Sequence, residues 1–250
     1  MSRFLLFRLF GPFAAWGDIA VGERRHVFSQ PSKSGVLGLV GGALGLDRAD
    51  ESSLAALHAG YGFASCVESS GALLTDFHTT QVPPGGSGKK KRHYVSRRDE
   101  LSIPHDELKT ILSYRDYRTE ALAIACIWPL SAARWPLERL ADALRHPVFS
   151  PYLGRRSCPP ALPFAPQIRE AASPTEALHA AKFPDGEFLE PIRRSDASRI
   201  YFWEGEDGGF APIQSNVRRD AARSRSSWQF GERIEHQAFE RKDSNASESD

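Results

Sequence analysis

Cysteine, methionine and any excess of charge are scarce in this sequence, and each shortage excludes something. Only 3 cysteines occur in 250 residues, at Cys66, Cys126 and Cys158. They are far apart and odd in number, which fits neither a disulfide framework nor a cysteine-ligated metal; reduced thiols in a cytoplasm are expected. Carboxylates with metal-ligand spacing are missing too, so no metal and no cofactor is expected. Lys and Arg number 32 against 31 Asp and Glu, a net charge of +1 that by itself argues for no polyanion. The uncharged stretch 36–46 is too short and too rich in glycine to span a bilayer. Arg3 and Arg8 break the first apolar run and no small-residue cleavage site follows, so neither a signal peptide nor a membrane contact is expected. Ser32-Lys33-Ser34-Gly35 lacks the upstream glycine of G-x-x-x-x-G-K-S/T, which rejects an ATP-binding loop.

What is present centres on residues 30–45. Pro31 and Ser32 form a helix start, because a Ser side chain can accept from exposed backbone N–H groups. The run that follows carries no charge between Lys33 and Asp47, so its helix is expected to be buried on most sides. Gly38, Gly41, Gly42 and Gly45 recur at three- and four-residue spacing along one face. Glycine costs a helix roughly 0.5–1 kcal/mol relative to Ala, which is tolerated where a backbone or a ligand must come close. Tight core packing explains that face. The other reading is a phosphate at the helix start, on free N–H groups with Lys33 beside them.

Along the rest of the chain, 3–10 reads as a strand from the middle of a sheet and 50–59 as a short helix. Residues 63–67 read as a strand that Gly71 turns toward 72–74, and 110–117 and 120–128 as two more strands. The last of these is apolar on both faces and so central. Leu137, Leu140 and Leu144 mark an amphipathic helix over 136–145 that His146-Pro147 ends. Strand, helix, strand, strand, helix, strand is a ferredoxin-like plan of the α+β class. Beyond it come a short helix near 175–181 and strand fragments at 200–203 and 229–237. The charged, apolar-poor end 241–250 is expected to be disordered.

The basic residues are placed unevenly. Lys89, Lys90, Lys91, Arg92, Arg97 and Arg98 fall within ten residues, directly after Pro83-Pro84-Gly85-Gly86-Ser87-Gly88. Residues 81–98 therefore read as a protruding, mobile excursion, with Tyr94 inside a charge cluster that suits phosphates and a stacked base. Arg155 and Arg156 sit between Gly154 and Cys158-Pro159; they are either phosphate binders, through their planar forks, or structural arginines bonded to loop carbonyls. Glu23-Arg24-Arg25-His26 is a short charged segment at a strand edge. Trp16 in Ala-Trp-Gly reads as packing before it reads as a stacking platform. The histidines His26, His78, His93 and His105 are scattered, and acid–base catalysis needs two groups meeting at one bond, so no catalytic residue is named.

Four stretches in order resemble one family: Leu9-Phe10-Gly11-Pro12 with Ala15-Trp16-Gly17; Pro31-Ser32-Lys33-Ser34-Gly35-Val36-Leu37-Gly38-Leu39; Asp76-Phe77-His78-Thr79; and Pro151-Tyr152-Leu153-Gly154-Arg155-Arg156-Ser157-Cys158-Pro159. The family is the Cas-five subunits of subtype I-E CRISPR surveillance complexes, and the resemblance covers roughly 3–165. It implies a ferredoxin-like, RRM-type, repeat-associated RNA-binding domain over 1–150, a thumb hairpin at about 81–98, a smaller β region over 151–240 and a tail over 241–250. It also implies a cytoplasmic ribonucleoprotein complex of antiviral defence. There this subunit holds the 5′ handle of the crRNA, contacts the backbone subunit and the large PAM-recognising subunit, and meets target DNA only indirectly. RNA contacts are expected from Arg24, Arg25, Ser32, Lys33, Ser34, Gly35, His78, Lys89, Lys90, Lys91, Arg92, Tyr94, Arg97, Arg98, Arg155 and Arg156. No catalysis is implied. The alternative is a metal-independent endoribonuclease that processes CRISPR repeat RNA, as in subtype I-C relatives.

Overall fold

The computed structural model describes residues 1–17, 20, 22–84, 93–184, 187–196, 198–206, 208–224, 227 and 229–241. The first half of the chain runs β1 (Ser2–Phe10), β2 (Phe13–Ala14), β3 (Arg24–Arg25), α1 (Lys33–Leu44), α2 (Glu51–Gly60), β4 (Tyr61–Ser69), β5 (Ala72–Val82) and α3 (Arg97–Glu100). Then follow β6 (Lys109–Thr119), β7 (Leu122–Pro129), α4 (Leu137–Arg145), β8 (Gln167–Ala171), α5 (Pro174–His179), α6 (Glu190–Ser195), β9 (Ser198–Trp203), β10 (Gln214–Ser224) and β11 (Gln229–Arg241).

Alternation along β1 and β7 builds two cores. Leu5, Phe7 and Leu9, with Ala123, Ala125 and Ile127, face α1 and α4. Phe4 and Leu6, with Ile124 and Cys126, face α5. A strand that is apolar on both faces is stable only when covered on both, and each fully buried Leu or Phe side chain is worth about 1.5–3 kcal/mol. The two strands accordingly sit inside a seven-stranded sheet of order β10-β11-β9-β4-β7-β1-β8. A second sheet is built on β6, which pairs antiparallel with β5 along its length and, toward its base, antiparallel with β2 and parallel with β3.

Helix α1 starts as its sequence dictates: the Ser32 hydroxyl accepts from the Gly35 N–H at 3.1 Å. It ends at Gly45, whose φ of 80° is left-handed. Gly41 makes room for α2, since a Cβ there would lie 3.3 Å from Leu57. The buried leucines of α4 are the expected Leu137, Leu140 and Leu144.

Three readings of the sequence change. Residues 151–240 are not a separate β region, because β8 pairs with β1, and β9 pairs with β4 and carries β10 and β11 outward in the same sheet. Strands β8 and β10 escaped a reading by alternation because they are polar and half-exposed at the sheet's two edges. The protrusion is longer than 81–98: its arms are all of β5 and β6, and Arg97 and Arg98 begin a short helix closed by a Ser96–Asp99 capping box. Of the polar end, Arg241 is the last residue of β11 and 242–250 lie outside the described residues.

Candidate nucleic-acid interface

The base of the β5–β6 hairpin gathers arginines around one buried acid. Strand β3 runs parallel to β6 in the register Arg24↔Tyr114 and Arg25↔Arg115. Side chains alternate, so Arg24 and His26 share a face with Tyr114 and Asp116, and Arg25 lies on the other. Asp116 is buried. It accepts from the Thr75 hydroxyl at 2.8 Å and from Arg24 Nε and Nη2 at 3.4 Å, and its Oδ2 lies 3.0 Å from His26 Nδ1. Burial pushes the Asp116 carboxyl up, but hydrogen bonds from Thr75, Arg24 and His26 outweigh it and hold the group below the ordinary carboxylate range.

Arg155 completes this cluster from the far side of the chain. Its Nη1 donates to the Asp116 carbonyl at 2.9 Å and its Nη2 to the Arg25 carbonyl at 3.3 Å, and its guanidinium lies 4.8 Å from the centre of the Tyr117 ring. Of the two readings offered for this arginine, the structure places it in the structural one. Arg156, next to it, is exposed. The loop that carries both is tight. Leu153 N–H donates to the Cys158 carbonyl at 2.7 Å, and Cys158 N–H to the Arg155 carbonyl at 2.9 Å. Gly154 has φ of 88°, and a Cβ there would strike the Ala15 carbonyl oxygen. Gly11 in turn meets the Pro159 carbonyl, 2.6 Å from where a Cβ would stand. Two of the four sequence stretches thus interlock backbone to backbone. Trp16 is buried and packs on Gly35 of a third, as packing rather than as a stacking platform.

The start of α1 is corrected. It is no open phosphate site, because this chain's own carboxylates fill it. Lys33 N–H donates to Asp220 Oδ2 at 2.7 Å, and Lys33 Nζ to Glu204 Oε1 at 2.5 Å. Asp220 also takes Arg233 Nε at 2.6 Å and Nη2 at 3.0 Å, and Arg233 reaches Glu235 Oε2 at 2.7 Å. Arg218 stacks over Phe28 at 3.5 Å. Burial raises the Asp220 carboxyl, but Arg233 and the Lys33 N–H hold it below the ordinary range; Arg233, in spite of burial, is pushed up by Asp220, Glu235 and Glu204. Ser32 is spent on the cap, and Ser34 and Gly35 are half-buried beside it.

The remaining candidates are spread along the hairpin. His78 pairs with Asp76 on the face away from Asp116. Arg97 is tied to Glu100 at 2.6 Å and to the Gln81 carbonyl, Arg98 is exposed and Tyr94 half-buried. Lys89, Lys90, Lys91 and Arg92 lie outside the described residues. Sequence reasoning missed Asp116, Thr75, His26, Phe77 and Tyr114 as a group. The signal that would have found His26 was its two-residue spacing from Arg24 in a strand; Asp116 carries none, because its partners come from three segments.

Fold and surface together define an α+β protein with two antiparallel layers of sheet and a cation-rimmed hairpin. The family model described as CRISPR-associated protein (Cas_Cas5) matches residues 4–234. The CRISPR system Cascade subunit CasD of Escherichia coli (strain K12) is 35% identical over 181 residues, which is 71% of this chain and 76% of that protein. A chain of a solved CRISPR RNA-guided surveillance complex superposes with a TM-score of 0.63 at 25% identity, over 95% of this chain and 90% of that one. A crystal structure of a Cas protein shares the fold, with a TM-score of 0.56 at 23% identity over 94% of each chain. This chain belongs to the Cas-five family of CRISPR-associated proteins.

Proposed function

We propose that the chain is a non-catalytic subunit of a Cascade-type complex that grips the 5′ handle of the crRNA. It would do so beside the backbone subunit and the large PAM-recognising subunit, and would meet target DNA only through the assembly. The observation that carries this reading is the gathering of Arg24, Arg25 and the exposed Arg156 at the root of a long hairpin, with Arg155 bracing the loop through the Asp116 and Arg25 carbonyls. Guanidinium forks suit phosphate oxygens, and a single strand is held by phosphate contacts while its unstacked bases are read. The relatives support it: one is named as a Cascade subunit, and another comes from an RNA-guided complex. We read β8-β1-β7-β4, with α1 and α4 packed on one face, as the ferredoxin-like, RRM-type arrangement. Binding without cutting fits the separation of two of the histidines, for His26, after β3, and His78, on β5, lie on opposite faces of this sheet. Buried thiols at Cys66, Cys126 and Cys158 fit a cytoplasm.

The test is the purified chain with CRISPR repeat RNA. Affinity that falls steeply with salt, with the RNA left intact, is the expected result. Release of a handle-length 5′ product without added metal establishes the endoribonuclease instead. Affinity that is absent or indifferent to salt removes RNA from the reading.

A further inference from the structure

On the Asp116 face of the hairpin, three strands lay out two rows of side chains. One row is Arg24, Tyr114 and Phe77, from the registers Arg24↔Tyr114 and Phe77↔Tyr114. The next is His26, Asp116 and Thr75, joined by hydrogen bonds. Phe77 is 53% exposed and Tyr114 37%, and their ring centroids are 5.2 Å apart. Leu73, 52% exposed, and Arg118 extend the same face by one more row. A pair of large aromatics held open to water on a sheet gains little for the fold and offers π-faces to a ligand.

The charges beside the rings point to the ligand's chemistry. Asp116 is buried and already bonded to Thr75, Arg24 and His26, so the outer rim of the face is cationic or neutral. Asp116 also fixes where Arg24 and His26 stand. Rows two residues apart along a strand are roughly 7 Å apart, comparable to the separation of a base from its own backbone phosphate. We infer that this face is a nucleotide subsite for single-stranded RNA, with a base stacked on Phe77 and Tyr114 and the adjoining phosphate held by Arg24 and His26. The inference rests on the RNA-binding reading above and adds to it a second surface, across the hairpin from Arg25. Stacking on aromatic rings tolerates any base, so this subsite contributes affinity and register, not base identity.

The experiment uses the full chain and a short single-stranded oligoribonucleotide that carries 2-aminopurine, whose fluorescence falls when the base stacks. Wild type should bind it with quenching. Phe77→Ala and Tyr114→Ala should each weaken binding about tenfold and relieve the quenching, while the slope of affinity against salt stays unchanged. Phe77→Leu should behave as Phe77→Ala, and Phe77→Tyr should restore both readouts, which separates stacking from mere apolar packing. Arg24→Gln should instead reduce the salt slope by about one. Wild-type affinity and quenching in both alanine variants, with Arg156→Ala weakened, overturns the subsite and leaves RNA binding standing. Unaltered RNA binding combined with failure to enter the assembled complex assigns the face to a protein partner and overturns it as well. No binding by wild type overturns this inference together with the reading beneath it.

Discussion

Arg155 and Arg156 are neighbours in sequence and opposites in environment. Arg155 satisfies the carbonyls of Asp116 and Arg25 and stacks on Tyr117. Arg155→Ala should therefore cost about 1–3 kcal/mol of stability in denaturant unfolding, the cost of leaving such acceptors unpaired. Arg156 is exposed, and Arg156→Ala should leave stability within about 0.5 kcal/mol while lowering the salt slope of RNA binding by about one. Equal destabilisation by the two substitutions would refute this division of labour. Gly154 supports both side chains. Its φ of 88° and the Ala15 carbonyl in the way of a Cβ mean that Gly154→Ala should lower stability by about 1–3 kcal/mol, seen as a lower denaturant midpoint.

At the scale of elements, the glycine-lined helix separates packing from conformational freedom. Gly41 and Gly42 are adjacent in α1, yet only Gly41 faces a neighbour. A Cβ at Gly42 meets nothing within 4 Å. Gly42→Ala should thus stabilise the protein by about 0.5–1 kcal/mol through helix propensity alone, whereas Gly41→Ala should gain less or lose, because Leu57 must give way. A rise in denaturant midpoint at constant m-value for Gly42→Ala, and none for Gly41→Ala, is the expected pattern. Much at this scale was legible beforehand. Ser32, the Leu137–Leu140–Leu144 spacing and the two-sided apolar run of β7 are local signals, and each produced the element it announced. Strands β8 and β10 were not legible, because edge strands with one wet face carry mixed side chains that resemble loop.

Across the whole molecule, two buried acids join distant parts of the chain. Asp116 joins β6 to β3 and β5, and Asp220 joins β10 to the start of α1. Both carboxyls are held below their ordinary values in the folded state. Each therefore contributes stability that is complete above the unfolded value near pH 4 and is lost as pH falls through the depressed folded value. Thermal unfolding followed against pH should show a plateau above about pH 5 and a steep loss below about pH 4. Asp220→Asn should lower the midpoint at neutral pH, since it leaves Arg233 buried with less compensation, and should flatten the acid limb. An acid limb unchanged from wild type would show that Asp220 is not one of the groups responsible.

Residue order alone determined helices α1, α2, α4 and α5, the central strands and the family, and pointed to a protrusion near 81–98, because turn residues, apolar periodicity and short motifs are read from neighbours a few positions apart. It also showed that positive charge is concentrated. Only the tertiary structure decided which of those charges are already spent. Lys33 and Asp220 stand 187 positions apart, and no local pattern announces that one will neutralise the site the other opens. The same holds for Asp116, whose partners come from β3, β5 and the segment after β3. A buried ion must find its counter-ion wherever folding brings one within reach, so the choice of partner is a property of the packed chain and not of its order.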